Sequence, residues 1–256
     1  MILLSNGKIN HKIKKNIKMG YNTYSLNFAH SDISGFNVCP KANKISTGEN
    51  HSKKSTCSSV CVGYNGFASI HNSVMESRIK KTISYYVDRE SFYNQLIHEI
   101  KLSIKASKKE NLKPSFRLNA YSDIRHENNI IQDGKNIFDL FPEVDFYDYT
   151  KLVDRKTPKN YQLTYSHHNP DFIETATALK NGLNCAVVFE KLPKRLNVNG
   201  KAYQVVDGDE TDLRLDEKIN GKNVIVGLKF KGSKAKLKNA INEGFCLPTS
   251  NTSLYY

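Results

Sequence analysis

Between residues 21 and 228 short apolar runs recur, each followed by a polar loop or a helical stretch, and this alternation constrains the fold more than any other feature. The runs fall at 21–28, 115–120, 144–149, 161–166, 185–189, 203–206 and 224–228. Parallel strands need long crossover connections, so strands that alternate with helices imply a largely parallel sheet. The expected class is α/β, a partial or irregular (β/α) barrel, with a doubly wound open sheet as the other arrangement. A basic N-terminal arm over residues 1–20, loose or forming an edge strand, precedes a single domain over 21–256.

The helices are read from their period. Phe92, Leu96, Ile100 and Ile104 fall at four-residue steps with Ile97 beside them, behind the N-cap residue Asp88. Further helices are expected over 73–83, 170–181 and, more briefly, 136–141 before Pro142. There is no glycine-rich phosphate loop and no internal repeat.

Three of the five cysteines, Cys39, Cys57 and Cys61, sit in one loop after the first strand. An odd cysteine count in a chain of 256 residues favours free thiols or metal ligands over a disulfide framework. Three thiolates suit a [4Fe–4S] cluster that keeps one iron open. The same residues could hold zinc with a fourth ligand from His51, His71 or Cys246, or be unrelated thiols. Cys185 lies in an apolar run and reads as core.

In a barrel of this kind the loops after parallel strands share one mouth. Those positions carry Asn119, Ser122 and Asp123, then Asp148, Tyr149 and Lys151, then His167 and His168, and last the turn with Asp207, Asp209 and Asp212, near Arg214. Two adjacent histidines on a strand point to opposite sides, so at most one of His167 and His168 faces the mouth. Turn capping by the aspartates and surface pairing of Asp148 with Lys151 are the plainer readings.

The formal net charge is +13, from 38 Lys and Arg against 25 Asp and Glu. Lysines cluster at 8–18 and again at 229–238. An anionic partner is expected, whether a nucleotide, DNA or RNA; a lysine-rich composition serving solubility is the alternative. No run of about 18 apolar residues occurs, and the opening Met1-Ile2-Leu3-Leu4-Ser5 is too short for a signal core. No membrane association and a cytoplasmic location are expected.

Taken together, Gly35-Phe36-Asn37-Val38-Cys39-Pro40, Cys57-x-x-x-Cys61, Arg117-Leu118-Asn119-Ala120-Tyr121-Ser122-Asp123 and Phe146-Tyr147-Asp148-Tyr149-Thr150-Lys151 resemble a family of uncharacterised bacteriophage gene products. The segments 160–166, 206–209 and 212–214 add to the likeness. It implies a phage or prophage origin, and hence the host cytoplasm. That family in turn resembles radical S-adenosylmethionine proteins, which carry a three-cysteine loop after the first strand of a barrel. The chain departs from the radical pattern Cys-x-x-x-Cys-x-x-Cys: Tyr64 stands three residues after Cys61, so the third thiol would be Cys39. Asn119-Ala120-Tyr121-Ser122-Asp123 also stands where a Gly-Gly-Glu segment would be expected.

The resemblance implies an iron–sulfur enzyme with Cys39, Cys57 and Cys61 on the cluster. Asn119, Ser122 and Asp123 would hold a cofactor such as S-adenosylmethionine. Asp148, Lys151, His167, Asp209 and Asp212 would position substrate and move protons. A zinc-stabilised nucleic-acid-binding protein, or a magnesium-dependent nuclease using Asp207, Asp209 and Asp212, are the other readings.

Overall fold

The computed structural model describes residues 1–9, 11–42, 61, 63, 71–215 and 218–250. In chain order its strands are β1 (Leu4–Asn6), β2 (Tyr21–Leu26), β3 (Lys113–Arg117), β4 (Asp145–Thr150), β5 (Tyr161–Ser166), β6 (Asn184–Phe189), β7 (Arg195–Val198), β8 (Lys201–Asp207), β9 (Lys218–Ile219), β10 (Lys222–Asn223), β11 (Ile225–Lys229) and β12 (Cys246–Leu247). Four helices accompany them: α1 (Asn72–Val87), α2 (Arg89–Lys109), α3 (Ile173–Lys180) and α4 (Lys234–Asn242). Short helical turns cover Gly7–Ile9, His11–Lys14 and Lys15–Met19.

One large sheet runs β1-β2-β3-β4-β5-β6-β11-β8-β7. The seven strands from β2 to β8 in that order are mutually parallel. β1 and β7 are antiparallel edges. Among the described residues these two edges do not pair with each other, so the sheet is open. No described helix is long and apolar enough to cross a membrane.

β2, β3 and β4 bury both faces. One face presents Tyr24, Leu26, Phe116 and Phe146 to the α2 stripe of Phe92, Leu96 and Ile100. The other is a polar ladder. Thr23 Oγ1 and Ser115 Oγ are 2.7 Å apart. Asn16 Nδ2 donates to Thr23 Oγ1 and to the Tyr147 hydroxyl, each at 2.9 Å.

α2 begins where Asp88 predicts, its carboxylate accepting the Ser91 N–H at 3.1 Å. A second core, around Tyr165, Leu179, Val187, Phe189 and Ile225, lies between α3 and the β6 side of the sheet.

One expectation changes. Residues 137–140 form turns rather than a helix, because Asn136 Oδ1 takes the N–H groups of Phe138 and Asp139. In the N-terminal arm the edge strand is the form present: β1 pairs with β2, Glu99 accepts the N–H groups of Leu3 and Leu4, and Lys81 donates to the Leu3 carbonyl at 2.8 Å.

β5 leaves β6 after Ser166, and β12 takes the vacated place beside Val188 and Phe189. Gly244, at φ +76°, passes so close to Pro170 that a Cβ there would lie 2.5 Å from the proline ring.

Candidate functional site

Because β2 to β8 run parallel, their C-terminal ends open on one side of the sheet, where α/β proteins bind ligands. A cleft of about 640 Å³ lies there. Its lining draws on the segments after β2, β3, β4, β5, β8 and β11, together with the turn at Ile13 and Lys15 and with Phe245 just before β12.

Cys39 and Cys61 both line this cleft. Cys39 is set by its neighbours. Val38 is buried and its carbonyl takes the Asp123 N–H at 2.8 Å, while Asn37 Oδ1 accepts the Cys39 N–H at 2.8 Å. The Cys39 Sγ accepts the Ser31 N–H at 3.3 Å and its thiol donates to the Tyr121 carbonyl at 3.5 Å.

Two residues beyond Cys61, Gly63 packs so tightly that a Cβ would lie 3.0 Å from the His30 ring and 3.2 Å from the Tyr121 ring. The returning end of the cysteine loop is thus seated over His30 and Tyr121. Cys57 lies outside the described residues, as does His51. Among the described residues no three Cys, His, Asp or Glu side chains gather to hold a metal ion. Cys185 is buried against the Thr175 carbonyl with its thiol pKa pushed up, and burial likewise raises that of Cys246 to about 12. Neither lines the cleft, and both suit the core.

Asn119, Ser122 and Asp123 form the neighbouring wall. Asn119 Oδ1 accepts the Ser122 hydroxyl at 2.7 Å and the Ile124 N–H at 2.9 Å. The Asp123 carboxylate accepts the Thr150 hydroxyl, the Lys151 N–H and Arg155 Nη1, each at 2.8 Å. Arg155 also grips Glu127 at 2.7 and 2.8 Å. These side chains brace the β3–β4 connection internally, and the wall offers the cleft its backbone and the Tyr121 ring.

Asp148 lies beneath this wall, fully buried, accepting the Leu118 and Asn119 N–H groups at 3.0 Å and the Tyr161 hydroxyl at 3.2 Å. Burial pushes its carboxyl up to about 7, against the pull of Arg117 and the Asn119 N–H.

Lys151 lines the cleft, its Nζ donating to Ser166 Oγ at 3.0 Å. His167 does not. Its Nδ1 lies 2.8 Å from Thr175 Oγ1 of α3, and its ring stacks on Phe172 at 4.7 Å. Burial first, then the charges of Lys151 and His168, bring its pKa down to about 3. His168 also turns to α3, 3.6 Å from Glu174.

The far wall is ionic. Arg117, at the end of β3, reaches across to Asp212 at 2.6 Å and lies over the Tyr147 and Tyr149 rings at 5.7 and 5.3 Å. Asp209 accepts Lys231 Nζ at 2.6 Å and the Lys229 N–H at 3.0 Å. Asp209 and Asp212 therefore share the cleft with Cys39, Cys61 and Asn119.

Asp207 accepts the Asp209 N–H at 2.9 Å, as a turn-capping carboxylate does. Arg214 donates to the carbonyls of Gly208, Thr211 and Leu213 and to the Tyr149 hydroxyl, and so holds the turn from inside. Gly208 is needed for space rather than for its dihedral: a Cβ would lie 2.5 Å from Val226 Cγ1. Arg117 and Arg155 were not among the expected site residues. Each is an isolated arginine whose carboxylate partners lie 28 to 95 residues away in sequence, so no local pattern marks them.

No curated protein and no solved structure matches the chain. A phage-type family described as Gene product 88 matches residues 2–248, which takes in every strand and helix described above. With nearly its whole length covered, the chain belongs to the Gene product 88 family.

Proposed function

We propose that the protein is an iron–sulfur enzyme, similar to the radical S-adenosylmethionine proteins and built on a partial (β/α) barrel, that acts on an anionic, nucleotide-related substrate. The observation that carries this reading is the meeting of Cys39 and Cys61 on one cleft over the C-terminal strand ends. Cys57, four residues before Cys61, would supply the third thiolate. A cluster held by three thiolates keeps an open iron for a cofactor or substrate and supplies one-electron chemistry.

The chain's own residues then divide the work. Tyr121 and the backbone of 119–123 form the cofactor wall, kept rigid by Arg155. Lys151 offers a positive charge to the cleft. Arg117, Asp209 and Asp212 line the same cleft and orient the substrate. Asp148 acts from beneath through the placement of Asn119, and His167 ties the end of β5 to α3 next to Ser166, the partner of Lys151; both are positioning residues in this reading.

The test is metal analysis of anaerobically purified protein. About four irons and four sulfides per chain are expected, falling away in Cys39→Ala, Cys57→Ala and Cys61→Ala and retained in Cys185→Ala. Iron-free protein holding stoichiometric zinc would instead favour the zinc-stabilised reading.

A further inference from the structure

The cleft opens onto a strip of lysines that the proposed chemistry leaves unused. Residues 218–242 carry seven lysines and no Asp or Glu. Lys229 and Lys231 lie on the cleft itself. Lys234 and Lys238 follow on one face of α4, with Lys236 turned to the other side, and all five are exposed.

Three of these lysines fall in the first five residues of a helix that has no acidic residue in its first turn. That arrangement works against the helix dipole, which favours carboxylates at this end. The surface stays positive at some expense to the helix.

Phe230 stands between the strip and the cleft, and with Phe245 it gives that wall two aromatic rings. The Phe230 ring lies over Gly232, where a Cβ would come within 2.8 Å of it. The chain is therefore pulled close under the ring and holds it in place.

The geometry points to a single-stranded nucleic acid as the partner, its phosphates following Lys238, Lys234, Lys231 and Lys229 while a base enters the cleft beside Phe230. A basic track with aromatic platforms is how proteins bind single strands without strong sequence preference. A cleft of about 640 Å³ is in the size range of small-ligand sites, with room for an extruded base and its sugar and too little for a duplex. The pairs that phosphates must displace are weak ones: Lys231 with Asp209 and Lys229 with Asp207 are solvent-facing, where an ion pair contributes little. This inference names the substrate class of the proposed site and so rests on that reading, but its test does not depend on the cluster.

Fluorescence anisotropy of the full chain with labelled single-stranded RNA and DNA of about 12 nucleotides, across a salt series, is the experiment. Duplex of the same length and heparin serve as competitors, and iron is measured on the same samples. Single strands should bind, with affinity falling as salt rises by a slope of about 0.7 per phosphate neutralised. The combined Lys234→Ala, Lys236→Ala and Lys238→Ala variant, which removes both lysines of the track on α4, should flatten that slope by about 1.4 and weaken low-salt binding roughly tenfold. Phe230→Leu, which keeps the apolar contact and removes the stacking face, should weaken binding at every salt without changing the slope.

Absence of binding at low salt would overturn the inference. So would duplex or heparin competing as well as single strand, or a slope unchanged in the triple variant. Iron-free protein that still binds strands would sink the iron–sulfur reading alone, and iron-loaded protein that binds none would sink this one alone.

Discussion

Acidification should destabilise this protein well before its surface carboxylates titrate. His30, His126, His167 and His168 are all buried, and burial is the first cause of each depressed pKa: about 4 for His30 and His168, about 3 for His126 and His167. Arg78 faces His30, Arg155 and Arg89 face His126, and Lys151 faces both His167 and His168; Glu174 and a backbone hydrogen bond of Ser166 oppose at His168, and one of Leu118 at His126. A histidine held neutral in the folded state contributes stability that is complete above its unfolded pKa of about 6.5 and is lost as pH falls below it.

At pH 5 each of the four has lost about 2 kcal/mol, together about 8 kcal/mol. Asp148 runs the other way. Its carboxyl is raised to about 7, so the folded state takes up a proton first and gains about 3 kcal/mol by pH 5. The net loss between pH 8 and pH 5 is about 5 kcal/mol, a large share of the stability of an ordinary domain.

Urea unfolding at pH 8 and pH 5, extrapolated linearly to water, measures this difference. His167→Gln cannot titrate and should recover about 2 kcal/mol of the loss. A stability that changes by less than about 1 kcal/mol over this interval would show that these histidines reach solvent or an acid partner, and the reasoning would fail.

Other outcomes follow from single contacts. Arg155→Met would strand Asp123 and Glu127 without their partner and should cost about 3–5 kcal/mol in urea unfolding, since an orphaned buried charge is the expensive case. Gly208→Ala places a methyl into Val226 and Leu228; a loss of about 1–3 kcal/mol is expected in thermal melts, and an unchanged melting temperature would mean the turn is free to shift. Leu96→Ala, at the centre of the α2 stripe, should cost about 2–5 kcal/mol by the same measurement. Gly63→Val would lift the end of the cysteine loop from His30 and Tyr121 and should lower iron content with little effect on global stability; unchanged iron would separate the loop's seating from metal binding.

How much of this was legible in the sequence depends on how local each signal is. The parallel strands and α2 follow from short-range periodicity, and the Asp88 cap is a four-residue signal. Once the strands are parallel, the shared mouth follows without further information, which is why Cys39, Cys61, Asn119, Ser122, Asp123, Lys151, Asp209 and Asp212 meet on one cleft.

What escaped was of two kinds. The β7–β8 hairpin turns on Asn199 and Gly200, both with positive φ, and the Asn-Gly pair is a strong hairpin signal that an expectation of uniform crossovers passes over. The direction of a side chain at a strand end is the other kind. His167 is one residue past β5, and only the packing of Phe172 and Thr175 on α3 decides that it turns away from the cleft.

The late arrival of β12 carries a consequence for how the protein is made. Its two residues fill the gap that β5 leaves beside β6, and Phe245 just before them completes the cleft wall. Domains assemble as the chain emerges from its N-terminal end, yet here a piece of the wall is synthesised after every other strand. The nascent chain can build β2 to β6 early, but the pocket has no finished side until translation has passed residue 247. Any cofactor or strand that binds there would therefore be received by the finished polypeptide, and ribosome-bound intermediates would be unable to retain it.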